Sequence, residues 1–198
     1  MVKVLRGVDL SLQNLISQIS IGDDIDNKLI VEIASPDRAT EGKDRGVSIF
    51  CYNIKEHETS RNQKSIIRNG SVYFPPMVLD LYYMITINTI KEEEIPEIRQ
   101  KIMKFFYDTP ILAGKMLVNE LRINEYDNAF LDFNYNTEIK IRLNPLSIEE
   151  TNQLWTLFPG TKYRPSFSYV VSPVVIPSTQ RMSTALVKSK TIHLSDGV

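Results

Sequence analysis

The stretch Pro75-Pro76-Met77-Val78-Leu79-Asp80-Leu81-Tyr82-Tyr83-Met84-Ile85-Thr86 constrains the fold more than any other part of the chain. Its prolines stop whatever precedes them, and an apolar run broken only by Asp80 follows. At the two-residue period of a strand, Leu79, Leu81, Tyr83 and Ile85 share one face, while Val78, Tyr82 and Met84 share the other. Both faces are largely apolar, whereas a strand half exposed to water alternates apolar with polar. The segment is therefore expected to be a central strand, covered on both sides and running to about Asn88.

Other segments supply candidate layers to cover it. Val4–Ser20 fits an amphipathic helix with Val8, Leu12, Leu15, Ile16 and Ile19 on one stripe. Ser11, Gln13, Asn14 and Gln18 fall off that stripe, and Gly22-Asp23-Asp24 ends the helix. Lys28–Ala34 reads as a short strand closed by Ser35-Pro36, and Asp37–Gly46 as a charge-dense solvated loop. Val47–Ile54, rich in β-branched and aromatic residues, is the next strand. Lys55–Gly70 is a polar connector ending in the turn signal Asn69-Gly70.

Ile95–Tyr107 predicts a helix with Pro96 in its first turn and Glu92–Glu94 at its positive pole. Ile95, Ile98, Ile102, Phe105 and Phe106 form its buried stripe, and Asp108-Thr109-Pro110 stops it. Met116–Arg122 fits no single period, and Glu125–Asn136 is loop-like. Thr137–Leu143 alternates, with Ile139, Ile141 and Leu143 on one face and Glu138, Lys140 and Arg142 on the other. That polar face is directed at water or at a partner. Ser147-Ile148-Glu149-Glu150 is a capping box, opening a helix whose Leu154, Trp155 and Phe158 are expected in the core. Ser166–Ile176 is the last strong strand, in which Pro173 implies an edge position or a bulge. The order helix, three strands, helix, strand, helix, strand predicts an α+β single domain. Its sheet is mixed but mostly antiparallel, packed by about three helices.

With 198 residues, 42% of them hydrophobic, such a domain buries a core without help from metal or disulfide. A formal net charge of −1 gives no global field toward nucleic acid or an acidic membrane. Cys51, the single cysteine, excludes an intramolecular disulfide and a thiolate metal cage. Within its apolar run it reads as a small buried hydrophobe rather than a nucleophile. No apolar run approaches the ~18 residues that span a bilayer. The start Met1-Val2-Lys3-Val4-Leu5-Arg6-Gly7 lacks a signal core, so the chain is expected to begin its life in the cytoplasm.

Each candidate for chemistry weakens when its required spacing is tested. His57 and His193 stand far apart, neither beside a ligand-spaced acid or thiol, and His57 reads as a loop residue. Gly114-Lys115 resembles the end of a phosphate loop, but Thr109 stands where its glycine belongs and Met116 where its hydroxyl residue belongs. No nucleophile elbow and no dinucleotide fingerprint occur. Glu92–Glu94 and Glu149-Glu150 are explained by helix N-termini, and Asn69-Gly70-Ser71 by a turn rather than a glycosylation site. Lys55, Arg61, Lys64 and Arg68 make a weak basic patch against Glu56 and Glu58, with Tyr73 and Phe74 as strand residues rather than a stacking platform. No catalytic, cofactor-binding or metal-binding residue is assigned, and no nucleic acid partner or membrane insertion is expected.

Several motifs, taken in order, resemble the cap or tube-and-sheath terminator proteins of phage-tail-like contractile injection systems of the antifeeding-prophage type. They begin with Val47-Ser48-Ile49-Phe50-Cys51-Tyr52-Asn53-Ile54, then Arg61-Asn62, then the Pro75–Thr86 stretch. Phe105-Phe106-Tyr107-Asp108-Thr109-Pro110-Ile111-Leu112 follows, then Leu146-Ser147-Ile148-Glu149-Glu150 through Leu154-Trp155 to Phe158. The last is Tyr169-Val170-Val171-Ser172-Pro173-Val174-Val175-Ile176. The Asp127–Asn136 loop and the residues after Ser178 do not share the resemblance, and a further C-terminal domain that some members carry is not seen in this sequence.

The resemblance implies a phage tail-terminator-like fold and a structural, non-enzymatic role. It implies a ring, expected to be a hexamer, on the particle end distal to the baseplate. There it would stop the inner tube and sheath and hold the extended sheath to the tube, with tube and sheath proteins as partners. The chain would be cytoplasmic during assembly and afterwards part of the particle, extracellular where that is released.

The resemblance covers most of residues 1–177 and so implies a cap domain there, with 178–198 as an extension or arm. Glu138, Lys140 and Arg142 of the polar strand face, with Arg181, Lys188 and Lys190 of the tail, are the candidate partner contacts. The tail reads either as an arm that orders on a neighbour or as a frayed end. Two other classes stay open: a cytosolic ligand-binding module or enzyme of unknown chemistry, and an adaptor that binds one partner through an exposed strand without forming a ring.

Overall fold

The computed structural model describes residues 3–22, 28–39, 45–58, 64–68, 71–113, 116–118, 121, 138–178 and 180–183. Helix α1 (Val4–Ile16) is followed by strands β1 (Ile30–Ile33), β2 (Gly46–Glu56), β3 (Ile66–Arg68), β4 (Ser71–Tyr73) and β5 (Met77–Ile87). A 3₁₀ turn at Glu92–Glu94 leads into α2 (Ile95–Asp108), then β6 (Ile111–Leu112), β7 (Ile139–Leu143), α3 (Ile148–Trp155), β8 (Ser166–Ile176) and β9 (Arg181–Ser183). Six strands form one sheet in the order β1-β2-β5-β8-β7-β6, and β3-β4-β9 form a second, three-stranded sheet. Only the β1–β2 pair is parallel, so the main sheet is mixed and mostly antiparallel, in an α+β fold as expected.

β5 is central, flanked by β2 and β8, and its register fixes two faces. Tyr83 stands between Cys51 and Tyr169, and Ile85 between Ile49 and Phe167, on a first face. Met84 stands between Phe50 and Ser168, and Thr86 between Ser48 and Ser166, on a second. The first face carries the main core. Val8, Leu12 and Ile16 of α1 and Ile98, Ile102 and Phe106 of α2 join Leu81, Tyr83, Ile85 and Ile87 in one buried cluster. Fully burying one such side chain contributes about 1.5–3 kcal/mol, so this layer dominates stability.

α1 is covered from its other side as well. Ser11, expected on the exposed flank, is buried: its hydroxyl donates to the Gly7 carbonyl at 2.7 Å and accepts from the Val118 amide at 3.2 Å. A Cβ on Gly7 would stand 2.6 Å from Leu121 Cγ, so only glycine admits Leu121 this close. The helix ends at Ile16, earlier than Ser20. α2 then holds the following turn, with Glu97 accepting from the Gly22 amide at 3.0 Å and Lys101 donating to the Ser20 carbonyl at 3.0 Å.

Arg45, at φ 58°, forms a two-pronged ion pair with Glu94 at 2.9 and 2.8 Å, which joins the entry of β2 to the start of α2.

Two further expectations change, and a third is decided. The polar connector holds a hairpin, because Ile66–Arg68 and Ser71–Tyr73 pair antiparallel, and β9 of the tail adds to it. Of the two readings of Pro173, edge or bulge, the bulge holds, and β8 is an interior strand. Pro173 fits because the register with β5 shifts there by one residue and the pairing with β7 ends at Ser172, so its missing N–H leaves no gap in that ladder. Trp155 is half-buried rather than core, since α3 buries none of its residues fully. Phe158, just beyond it, is 5% exposed and meets Phe50 edge-on at 5.7 Å. The capping box forms as expected, with Ser147 Oγ accepting from the Glu150 amide and Glu150 accepting from the Ser147 amide.

Candidate functional site

The second sheet face is closed at one end and open at the other. Phe158 and Trp155 cover Phe50 and Ser166, and Trp155 Nε1 donates to Ser166 Oγ at 3.4 Å. Beyond Met84 the face turns polar. Tyr52 Oη lies 2.9 Å from Ser168 Oγ, and Asn144 Nδ2 donates to both. Lys55 sits 5.1 Å above the Tyr82 ring.

A row of polar residues lines this open half. Lys140 pairs in register with Ser172, whose hydroxyl donates to Asp80 Oδ1, and His57 Nδ1 lies 2.7 Å from the same oxygen. His57 is thus a loop residue as expected, just past the end of β2, but one that is half-buried and pinned to Asp80.

Serine, histidine and aspartate together raise the question of nucleophilic catalysis. That mechanism needs the serine on one ring nitrogen and the carboxylate on the other. Here both approach Nδ1, with Ser172 Oγ at 3.4 Å, and the serine gives its hydrogen bond to Asp80 rather than to the imidazole. Ser172 is also only 2% exposed. The cluster ties the end of β2 to β5 and β8 at the bulge, and it has no activated nucleophile.

Cys51 is equally inert. Burial, reinforced by the charge of Asp9, pushes its thiol up to about 11, so it stays protonated at neutral pH. Burial also pushes the Tyr83 hydroxyl well above its ordinary value, and Tyr83 donates to Asp9 Oδ1 at 2.6 Å, tying α1 to the sheet. No group of three metal-ligating side chains occurs among the described residues. No helix of the described residues is long and apolar enough to cross a membrane.

The candidate partner contacts are dispersed. Lys140 and Arg142 are exposed on β7, beside the polar row, and Glu138 is half-buried just before it. Arg181 lies in β9, opposite Tyr73 of β4, while Lys188 and Lys190, like His193, lie outside the described residues. The polar row of His57, Asp80, Ser172, Tyr52 and Asn144 was missed. Asp80, the lone acid inside an apolar strand, was its one visible signal.

Comparison with known proteins places this architecture. The model of the Pvc16 N-terminal domain family matches residues 7–190. The chain belongs to that family. Its fold also matches two solved structures. One is the sheath/tube terminator, in its extended state, of the extracellular contractile injection system PVC. It is 15% identical with a TM-score of 0.67, over 100% of this chain and 65% of that one. The other is the tube-terminating cap of the anti-feeding prophage, 14% identical with a TM-score of 0.54, over 98% of this chain and 61% of that one. The chain thus spans just under two thirds of the length of each. No curated protein matches it in sequence. Membership in the Pvc16 N-terminal domain family agrees with the family expected from the strand and helix motifs, and the two neighbours share the tail-terminator-like fold.

Proposed function

We propose that this chain is a structural cap of a contractile injection particle. It ends the inner tube and the sheath at the end distal to the baseplate and holds the extended sheath to the tube. The observation that carries the reading is the match of the Pvc16 N-terminal domain over residues 7–190, joined by a fold shared with two terminators. It acts as a closed ring, six-fold like the expected tube end, with the tube protein and the sheath protein as its neighbours. It carries out no catalysis, which the Ser172–Asp80–His57 geometry and the protonated Cys51 support. Assembly takes place in the cytoplasm, and the cap leaves with the particle.

Within this reading residues 1–177 are the cap domain and 178–198 the arm. Lys140, Arg142 and Glu138 on one side, and Arg181, Lys188 and Lys190 on the other, supply directional charge pairing with neighbours. Deleting residues 179–198 should leave a folded domain. In cells producing particles it should give tubes and sheaths of uncontrolled length, or particles that come apart, seen by electron microscopy. Particles of uniform length with intact extended sheaths would remove the arm from the mechanism. The same uniformity after deletion of the whole chain would remove the cap function itself.

A further inference from the structure

The two ends of the six-stranded sheet differ, and each leaves apolar surface uncovered. At one end β1 is the outermost strand, with Ile30 45% and Ile33 43% exposed. Its backbone edge is partly closed, since Gln13 Nε2 donates to the Val31 carbonyl at 2.8 Å, which leaves the side chains rather than the ladder for contact. At the other end β6 has two residues and pairs only with Lys140 and Ile139. The Ile141 amide donates to the Pro110 carbonyl at 2.7 Å, and beyond it β7 has no neighbour on its outer side among the described residues.

Beside this open edge a trough of ≈ 1040 Å³ runs between α2 and β7, lined by Met103, Phe106, Tyr107, Leu143 and Tyr169. Tyr107 is 85% and Leu143 48% exposed.

The charges at the trough are one-sided. On α2, Lys101 is paired with Glu97 at 3.0 Å and Lys104 with Asp108 at 2.6 Å. Arg99 and Arg142, which also line the trough, have no carboxylate partner among the described residues. Aromatic residues, methionine and arginine around an apolar floor are the composition of a protein interface, and an apolar edge strand calls for cover. The β1 end offers the complement: two exposed isoleucines, one on each face of the strand, followed by the exposed Asp37, whose carboxyl a hydrogen bond from Ser35 and the neighbouring charge of Arg38 hold below its ordinary value.

We propose that the β1 edge of one copy seats in the β7 trough of the next, with Ile30 and Ile33 against Leu143 and Tyr107 and the carboxylate of Asp37 toward Arg99 and Arg142. Strand spacing puts the two sheet ends about 24 Å apart. Unlike patches that far apart make a heterologous contact, which repeats from copy to copy and forms a ring when its rotation closes, as a terminator requires. This inference rests on the ring reading above and adds which surfaces meet.

Paired cysteines test it in the full chain. Ile33→Cys and Leu143→Cys are made singly, mixed and oxidised, both as purified protein and within isolated particles. An intermolecular disulfide in the mixture, and in neither variant alone, is the expected result. The double variant should give a ladder of linked species. Native Cys51, with its thiol pushed up to about 11, serves as the unreactive control. Arg99→Glu with Arg142→Glu should lower the cross-linking yield at least about tenfold. Self-linking of either single variant would indicate a like-with-like contact and overturn the proposal. So would oligomers that form without the mixed disulfide, although the ring itself would then stand. A chain that stays monomeric and is absent from particles would defeat both the interface and the cap reading.

Discussion

The two faces of the main sheet are made by the same strands but closed by different means. On the first face, α1 and α2 lay apolar stripes across Leu81, Tyr83, Ile85 and Ile87, and the polar Tyr83–Asp9 bond crosses that layer. On the second, Phe158 and the half-buried Trp155 cover one end only, and polar ties from Tyr52 to His57 hold the other. Apolar burial is non-directional and supplies most of the folding free energy, whereas each polar tie adds about 1 kcal/mol but fixes an orientation. The first face therefore sets whether the chain folds, and the second sets the shape it presents.

That contrast breaks most readily by truncation. Ile102→Ala, in the first face, should cost about 2–5 kcal/mol through lost burial and the cavity left behind, read from denaturant midpoints. Phe158→Ala should fall in the lower part of its usual range of about 3–5 kcal/mol, because its cavity opens toward solvent. Trp155→Ala should cost less than Phe158→Ala, in keeping with its partial burial. If Trp155→Ala proved the most damaging of the three, the assignment of the core to the first face would be wrong.

A smaller effect separates the faces by pH. Asp9 lies in α1 and reaches the sheet at Tyr83, where burial raises its carboxyl above the ordinary 3.8 despite the opposing hydrogen bond from Tyr83. A folded pKa above the unfolded one means that the native state holds the proton longer. Stability from this group is thus full below about 3.8 and is lost as pH rises through the raised value. The exposed Asp37 and Glu149 and the half-buried Glu97 are shifted down, so their contributions are present above their ordinary values and lost as pH falls through the lowered ones. Asp9→Asn keeps an acceptor for Tyr83 and should be more stable than the parent at pH 7 but equal to it near pH 3. Parallel stability curves for the two proteins would refute this.

How much of this was legible in the sequence follows from the range of the forces involved. β2, β5, β8, α2 and the Ser147 cap were readable because period, branching and capping are local. Ser11 was misplaced because a stripe analysis sees one packing partner, and the second, at Val118 and Leu121, arrives from far along the chain. Trp155 was overrated for a related reason: its helical stripe exists, but the sheet beneath α3 is only partly available to it. The β3-β4 hairpin was lost in a polar stretch whose strands are three residues each. The row at His57, Asp80 and Ser172 needs a register across three strands, which residue spacing alone does not encode. Family motifs reached the terminator-like fold, while the partner surfaces remained beyond them.

The smallest effect is expected where the second face is most deeply buried. Ser48 and Thr86 stand directly opposite each other, 1% and 0% exposed, and neither hydroxyl has a hydrogen-bond partner among the described residues. A buried hydroxyl without a partner forfeits the hydration it had in the unfolded chain, which costs about 1–3 kcal/mol. Thr86→Val has nearly the same shape and replaces that hydroxyl with a methyl, so it should be neutral or stabilising by up to about 1 kcal/mol. Ser48→Ala removes the matching group at the price of a small void. The pair should not add independently, since the two side chains are direct cross-strand neighbours and share the space that each change alters. A loss of more than about 1 kcal/mol for Thr86→Val would show that its hydroxyl is satisfied by an ordered water, making this end of the face a wet layer rather than a dry one.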